Sequence, residues 1–223
     1  MATVSTLSAS SGSVGNIALD HPVAVTRRRI DRIFIGAGIL AAVVLAVAGG
    51  LLTWGSNFSG DYVKRELTSQ QVFFPDAAGL TTEGRTDLLG YAGRQLASGR
   101  DAQAYAGYID HHLQAIAGGQ TYSQLGAPER AARTAVTAAT TAGAPAAEIA
   151  ALQAKAAAVS GQRDSMFKGE TLRGLLLTTY AWDTIGRIAS IASVVSFAAA
   201  VLMAVLVVMG VLHLRRHPGI ITS

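Results

Sequence analysis

The sequence predicts an all-α protein with two transmembrane helices in an antiparallel hairpin and an extracytoplasmic helical bundle between them. Two apolar segments, residues 33–54 and 188–212, carry this prediction. A helix of 22 residues extends about 33 Å, which is enough to cross a hydrocarbon core of about 30 Å. Residues 55–187 separate the two segments and are polar enough to form a domain outside the membrane.

Positive charge predicts how these two segments are oriented. Arginines flank both segments on the side of the chain termini, at Arg27, Arg28, Arg29, Arg32, Arg215 and Arg216. Positively charged flanks stay in the cytoplasm during insertion. We therefore expect a protein of the cytoplasmic (inner) membrane with both termini cytoplasmic and residues 55–187 extracytoplasmic. The first transmembrane helix with its basic flank covers 27–54, the second covers 188–212, and residues 213–223 form a short cytoplasmic tail.

The charge balance of the outer domain argues against a nucleic-acid-binding protein. The chain has 18 basic and 14 acidic residues, but six of the basic residues lie in the two flanks. Residues 55–187 hold 12 of each sign and therefore have no net charge. We expect the lipid bilayer as a partner and no nucleic acid. The chain has no cysteine, so helix packing and not disulfides must stabilise the domain.

The first 26 residues differ in composition from the rest of the chain. They are rich in Ser, Thr and Gly and show no apolar period, which predicts a disordered cytoplasmic tail. Their hydroxyl groups could accept phosphate next to the arginines, although a solvated tail without a switch is the simpler interpretation. A cleavable signal peptide is an alternative for the first segment, because Ala46-Val47-Ala48 has the form of a cleavage site. The apolar run continues to Trp54, which favours an uncleaved anchor.

Small residues at intervals of four predict where the two spans pack. One stripe lies on each span: Gly38, Ala42, Ala46 and Gly50 on the first, and Ala192, Ser196, Ala200 and Ala204 on the second. Small side chains let helix backbones approach closely, which promotes association in lipid. We expect the two stripes to face each other. In the alternative interpretation, one stripe docks on another membrane subunit.

Four to six helices are expected in the outer domain, continuous with the spans. Asp61–Gln71 prolongs the first span until the segment before Pro75, and a second helix is predicted over Leu88–Leu96. The clearest amphipathic helix starts at Asp101, as its N-cap, and ends at Gly118-Gly119.

The C-terminal part of the outer domain is rich in alanine. Pro128 and Pro145 each stand where a helix can begin, and Gly143 separates the two segments that they head. Residues 130–159 contain 15 alanines, which favour helix but supply little bulk for a core. The segment Glu170–Tyr180 leads to the second span.

Two adjacent histidines are the candidates for ligand binding. His111 and His112 follow Tyr105 and Tyr108, but adjacent side chains on a helix point about 100° apart and cannot both face one ion. We interpret His112 as a hydrogen-bonded core residue. The motifs of hydrolases and nucleotide-binding enzymes are missing from the sequence, so we expect no catalytic residues, no cofactor and no metal.

Two short apolar segments are candidates for contact with a partner. They comprise Val72, Phe73 and Phe74, and then Met166 and Phe167. Large rings of this kind either fill the core beside alanine-rich helices or anchor a protein interface. Both interpretations stay open, with the core preferred for the first segment.

Four motifs give the chain a resemblance to a known group. They are Gly49–Gly55, Ser69–Pro75, Ala117–Tyr122 and Gly169–Leu177. On these motifs the chain resembles uncharacterised actinobacterial two-span membrane proteins with an extracytoplasmic helical domain. The group has no established activity, so the resemblance implies a location but no chemistry. It extends over roughly residues 27–214.

Elimination then leaves a preferred function. We expect a non-enzymatic membrane accessory or scaffold subunit whose outer domain binds another envelope protein or complex. The alternative is an extracytoplasmic small-molecule or metal sensor that uses Tyr105, Tyr108 and His112 and relays through a partner protein. An envelope hydrolase is a third hypothesis, less favoured than the other two.

Overall fold

The computed structural model describes residues 27–216, and over this range the protein is built from helices without any strand. The elements are α1 (Arg27–Ser69), α2 (Ala77–Thr82), a 3-10 helix (Thr86–Tyr91), α3 (Gly99–Ala117), α4 (Gly126–Thr141) and α5 (Ala146–Arg216). The predicted all-α class is confirmed. The tail predicted over residues 1–26 and the end of the tail predicted over 213–223 lie outside the described residues.

Helices α1 and α5 are each long and apolar enough to cross a membrane. Their most apolar stretches of 18 residues are only 6% and 11% buried, respectively. Large apolar side chains cover the outward faces, including Phe34, Leu40, Ile191 and Val194. This confirms two helices that are long and apolar enough to span a membrane. Most of their apolar surface has no protein partner in the described residues.

The chain forms two compact units. One contains the residues up to Val43 together with those from Val201 onward, and the other contains Val44–Ala200. In the first unit, a Cβ added to Gly38 would lie 2.7 Å from Cγ2 of Val207. A glycine is therefore required at this position for the two helix ends to approach so closely.

Within the larger unit, hydroxyl groups of α5 bind the backbone of α1. Ser196 donates to the carbonyl oxygen of Leu45 at 2.7 Å, and Ser193 donates to that of Gly49 at 3.0 Å. Further along, the Ser59 hydroxyl of α1 donates to the carbonyl oxygen of Trp182 at 2.8 Å. These bonds satisfy the polar side chains within the apolar part of each helix.

The predicted stripes of small residues are only partly correct. Ser196 and Ala200 are buried as expected, and Gly38, Ala42 and Ala192 are half-buried. Ala46, Gly50 and Ala204 are exposed instead. Gly49 takes the place of Gly50, since a Cβ on Gly49 would lie 3.1 Å from the Phe197 ring whereas one on Gly50 would touch nothing within 4 Å.

The error follows from helix geometry. Four residues turn a helix by about 400°, so each step of four rotates the stripe by about 40°. Three such steps carry Gly50 about 120° away from Gly38 around the helix. Contact positions must alternate steps of three and four to stay on one face, as Leu45, Gly49, Ser56 and Ser59 do.

The segment after α1 is extended and not helical. Helix α1 continues to Ser69, close to the predicted end at Gln71, and the chain then pairs with a second extended segment through a bridge between Phe73 and Gln95. The helix predicted over Leu88–Leu96 is wrong, because only a 3-10 helix forms there before Gly93 turns the backbone with φ of 67°.

The amphipathic helix α3 begins with a capping arrangement that differs from the prediction. Ser98 is the N-cap, whereas Asp101 lies in the first turn and was wrongly assigned that role. The Asp101 carboxylate accepts hydrogen bonds from the Ser98 hydroxyl at 2.8 Å and from Arg94 at 2.8 Å. The Ser98 hydroxyl oxygen accepts a hydrogen bond from the backbone N–H of Asp101 at 3.3 Å, which caps the helix. Gly118, with φ of 60°, ends the helix as predicted.

The alanine-rich segments form α4 and the first part of α5. Gly143, with φ of 68°, separates them, and α5 begins directly after Pro145, as predicted. The segment Glu170–Tyr180 is part of the same unbroken helix α5. A glycine in this helix allows close packing on α3, because a Cβ on Gly169 would overlap the Leu113 side chain.

Candidate functional site

The two adjacent phenylalanines after α1 have different surroundings. Phe74 is 3% exposed and packs between the rings of Tyr91 and Tyr105, at centroid distances of 5.1 Å and 5.3 Å. Phe73 is 52% exposed, and Val72 is half-buried. Successive side chains of an extended segment point to opposite sides, which explains the split. The core interpretation therefore holds for Phe74 and not for Phe73.

Met166 and Phe167 divide in the same way. Met166 is 3% exposed and packs in a buried cluster with Leu113 and Leu125. Phe167 is 56% exposed, and its ring lies 5.8 Å from that of Tyr122. Adjacent residues of a helix point about 100° apart, so α5 can bury one of them and present the other.

A buried carboxylate lies beside the exposed ring of Phe167. Glu129, from the first turn of α4, accepts three hydrogen bonds from α5 and from its own helix. The donors are Arg163 at 2.6 Å, the Ser160 hydroxyl at 2.7 Å and Arg133 at 2.7 Å. These hydrogen bonds, with that of Ser160 the largest contributor and that of Arg163 next, lower the pKa of Glu129 from 4.5 to about 2. Glu129 is therefore charged at neutral pH and ties α4 to α5.

Arg163 connects this ion cluster to the aromatic side chains. Its guanidinium group lies 4.4 Å from the centre of the Tyr122 ring. The hydrogen bond to Glu129 raises the pKa of Arg163 further. A cleft of about 310 Å³ opens here, which we call the Phe167 cleft; it is lined by Tyr122, Glu129, Ser160, Arg163, Asp164 and Phe167.

The Phe167 cleft has the composition of a contact site for protein. Two partly exposed rings provide apolar area, and fixed charges next to them provide orientation. Arg163 is already neutralised by Glu129, which leaves Asp164 as an exposed acid paired with Lys168 at 2.6 Å. The charges around the cleft are thus already paired, and a partner that offers an apolar side chain fits this surface.

The tyrosine and histidine candidates form a row of rings on α3. The centroid distances are 5.3 Å from Tyr105 to Tyr108 and 4.5 Å from Tyr108 to His112. Burial, and then the nearby carboxylate of Glu83, raises the pKa of Tyr108 to about 12. Tyr105 has its pKa raised for the same two reasons. Both tyrosines therefore stay protonated at neutral pH.

The two histidines are not core residues. His112 is half-exposed, its Nδ1–H donates to the carbonyl oxygen of Tyr108 at 3.1 Å, and its Nε2 lies 3.8 Å from a Glu83 carboxylate oxygen. The hydrogen bond was predicted, but the core position was wrong because α3 turns this ring to the surface. His111 is exposed. Among residues 27–216, no group of three His, Asp or Glu side chains could hold a metal ion.

Sequence reasoning missed the residues that build the Phe167 cleft. The neighbouring pairs Asp164–Lys168 and Glu170–Arg173 lie within α5 at spacings of four and three residues. The partner of Arg163 lies on another helix, 34 residues away. The spacing of Ser160 and Arg163 by three residues does place both on one face of α5, but nothing in the sequence indicates which acid meets them.

Comparisons with known proteins give no further assignment. No family model matches the chain, and neither the curated proteins nor the solved structures searched contain a match. The resemblance to two-span actinobacterial proteins therefore stays a prediction.

Proposed function

We propose that the protein is a two-pass membrane accessory or scaffold subunit without catalytic activity, whose outer domain binds another envelope protein through the Phe167 cleft. In this proposal, α1 and α5 cross the cytoplasmic membrane as an antiparallel hairpin. Both termini are cytoplasmic, and residues 55–187 form the extracytoplasmic domain.

The hairpin is supported by the order of contacts between α1 and α5 in the larger unit. Leu45, Gly49 and Ser59 of α1 are bonded to Ser196, Ser193 and Trp182 of α5, respectively. Positions that rise along one helix fall along the other, which is the pattern of antiparallel neighbours. The outward faces carry large apolar side chains, and lipid is the solvent that such faces require.

The observation that carries the binding function is the exposed ring of Phe167 beside a fixed ion cluster. An aromatic side chain that a helix presents to solvent loses little conformational entropy when a partner covers it. Glu129, Arg163 and Ser160 hold α4 against α5, so the cleft exists before the partner arrives. Preformed apolar clefts with oriented charges are typical of protein contact sites.

A photo-crosslinking experiment tests this proposal. A photoreactive residue at position 167 should crosslink a single partner protein in native membranes, and Phe167→Ala should remove that partner from the purified complex. The matched control is Leu175, which lies on the same helix and is 62% exposed compared with 56% for Phe167. Crosslinking at 175, or Leu175→Ala, should leave the partner unchanged.

Two results would contradict the binding proposal. The protein could purify alone in mild detergent while the hairpin is intact, or positions 167 and 175 could crosslink the same mixture of proteins. Either result would show that Phe167 is simply an exposed apolar residue.

A second function is favoured by one observation, the convergence of Tyr108, His112 and Glu83. The His112 imidazole lies 3.8 Å from the Glu83 carboxylate, and its ring centroid lies 4.5 Å from that of Tyr108. This group of side chains suits an extracytoplasmic sensor for a small polar molecule or a metal, which would relay through a partner protein. Replacement of His111 and His112 by Gln tests this function. Unchanged metal content and an unchanged phenotype would exclude it.

A further inference from the structure

An apolar cleft lies in the smaller unit, between the first turns of α1 and the last turns of α5. Its volume is about 560 Å³, and we call it the terminal cleft. Carbon and sulfur side chains form most of its wall: Phe34, Ile35, Met203, Leu206, Val207, Met209 and Leu214. Two glycines, Gly38 and Gly210, line it as well. The cleft is thus mostly apolar and open at the surface of two helices.

The end of the terminal cleft is polar and adjoins the basic flanks. Asp31 and His213 line the cleft there. Arg32 follows Asp31 directly, and Arg215 comes two residues after His213. At about 1.5 Å per residue, these arginines lie within about one helical turn of the polar end.

Positive charge predominates at this end. Among the described residues near this end, Arg29, Arg32, Arg215 and Arg216 bring four cations and Asp31 brings one carboxylate. Arginine binds phosphate through two parallel hydrogen bonds, and near an anionic surface each basic residue adds to the attraction. A ligand that fits both parts must combine a phosphate group with a long hydrocarbon chain.

We propose that the terminal cleft binds one anionic phospholipid of the inner leaflet. An acyl chain occupies the slot between α1 and α5, and the phosphate lies against the arginines at its end. This inference rests on the membrane part of the proposed function, since it requires the arginines to be cytoplasmic, but it is independent of the Phe167 cleft.

Native mass spectrometry of the purified full chain in detergent tests the inference. The added lipids are phosphatidylglycerol and phosphatidylcholine with the same acyl chains. We expect one phosphatidylglycerol per chain to be retained under conditions that remove phosphatidylcholine. Raising the salt concentration of the sample before the measurement should weaken this retention, because salt screens the attraction between the arginines and the lipid phosphate.

A pair of tryptophan variants separates the cleft from the general lipid-facing surface. Leu206 lines the cleft and is 48% exposed, whereas its neighbour Val205 does not line it and is 49% exposed. Leu206→Trp places a large ring in the space that we propose for the acyl chain. It should therefore weaken phosphatidylglycerol binding about tenfold. Val205→Trp adds the same ring elsewhere and should bind as the unmodified chain does.

A pair of charge variants tests the headgroup. Arg215→Gln with Arg216→Gln should weaken the binding of phosphatidylglycerol about tenfold or more. Lys64→Gln with Arg100→Gln removes the same charge from the outer domain and should have no effect. Arg29 and Arg32 are kept in both, so that the basic flank of α1 remains.

The outcomes distinguish this inference from the proposed function. Equal retention of both lipids, or equal loss from Leu206→Trp and Val205→Trp, would overturn the lipid site while leaving a membrane hairpin intact. Recovery of the chain from the soluble fraction would contradict the membrane proposal itself. A lost partner at Phe167 with retained lipid would affect only the binding function.

Discussion

At the residue scale, the Phe167 cleft depends on the buried carboxylate of Glu129, which accepts hydrogen bonds from three side chains. Glu129 would be costly to bury alone, but Arg163, Ser160 and Arg133 satisfy its oxygens. Removing the carboxylate leaves Arg163 without its counter-ion beside the Tyr122 ring. The same interaction therefore positions the aromatic side chains that we propose as the contact site.

The pH dependence of stability should report this carboxylate. The pKa of Glu129 falls from 4.5 to about 2 on folding, so its contribution is complete above pH 4.5 and is lost as the pH falls towards 2. Glu129→Gln lacks that contribution at every pH. We expect the melting temperatures of the unmodified chain and the variant, measured by circular dichroism in detergent, to differ at neutral pH and to converge below pH 4.5.

Glu66→Gln is the control for this prediction, because Glu66 is exposed and paired only with Arg65 at 3.5 Å. Exposed ion pairs of this kind contribute little. A melting temperature difference for Glu129→Gln that stays constant from neutral pH to pH 3 would contradict the assignment.

The two phenylalanines after α1 give a second prediction at this scale. Phe74→Ser removes a buried ring from contact with Tyr91 and Tyr105 and should lower the free energy of unfolding by about 3–5 kcal/mol. Phe73→Ser should change it by no more than about 0.5 kcal/mol, because that ring is already half in solvent. Thermal unfolding of both variants checks this, and equal losses would mean that Phe73 is packed as well.

At the element scale, register decides which face of each long helix is buried. Small residues at a spacing of four indicate correctly that α1 and α5 pack. Residues at this spacing rotate around the helix, however, so that after about two turns they no longer face the neighbouring helix. Ser196 and Ala200 of the second stripe are buried, as predicted. Gly50 and Ala204 lie at the ends of their stripes and are exposed instead.

Glycine substitutions can test this register in the membrane. The hydroxyl oxygens of Thr53 and Ser193 are 2.6 Å apart, so cysteines at these two positions should form a disulfide when the helices pack as described. The sequence has no other cysteine that could react in the double variant Thr53→Cys with Ser193→Cys. In that background, Gly49→Leu should reduce the disulfide yield strongly because the Phe197 ring occupies the space. Gly50→Leu should leave the yield unchanged, and the opposite order would restore the predicted stripe.

The elements that the sequence predicted correctly are those with strong local signals. Gly118 and Gly143 interrupt helices because glycine adopts positive φ without strain, and Pro145 starts one because its nitrogen needs no hydrogen bond. The segment Leu88–Leu96 has helical spacing, yet part of it is extended. Its backbone pairs with the segment after α1, through the bridge between Phe73 and Gln95. The two paired residues are about 20 positions apart in the sequence, so a local sequence pattern cannot predict their contact.

The candidate site was predictable only in part for the same reason. Phe167 stands out in the sequence as a large ring in a polar stretch, and its exposure fits the interface interpretation. Glu129 and Arg163 are ordinary charges on separate helices, and only the folded chain brings them together. A search for acids and bases on one helix would have found Glu129 with Arg133 and stopped there.

At the scale of the whole molecule, the charge distribution separates two kinds of surface. The basic flanks lie at the free ends of α1 and α5, next to an apolar cleft, whereas residues 55–187 are neutral overall. A segment without net charge has no long-range attraction for polyanions, so the recognition that we propose for residues 55–187 must rest on local shape and aromatic contacts. The terminal cleft, in contrast, combines apolar shape with excess positive charge.

Because the sequence has no cysteine, single-cysteine variants can report the proposed orientation. Ala157→Cys places one thiol on the exposed face of α5 in the outer domain, and Ser223→Cys places one at the last residue of the sequence. In the proposed orientation both flanks are inside, so a membrane-impermeant maleimide should label position 157 in intact cells and position 223 only after lysis. Labelling of 223 in intact cells would reverse the orientation. It would also move the arginines of the terminal cleft to the outer leaflet, which would contradict the lipid inference in its present form.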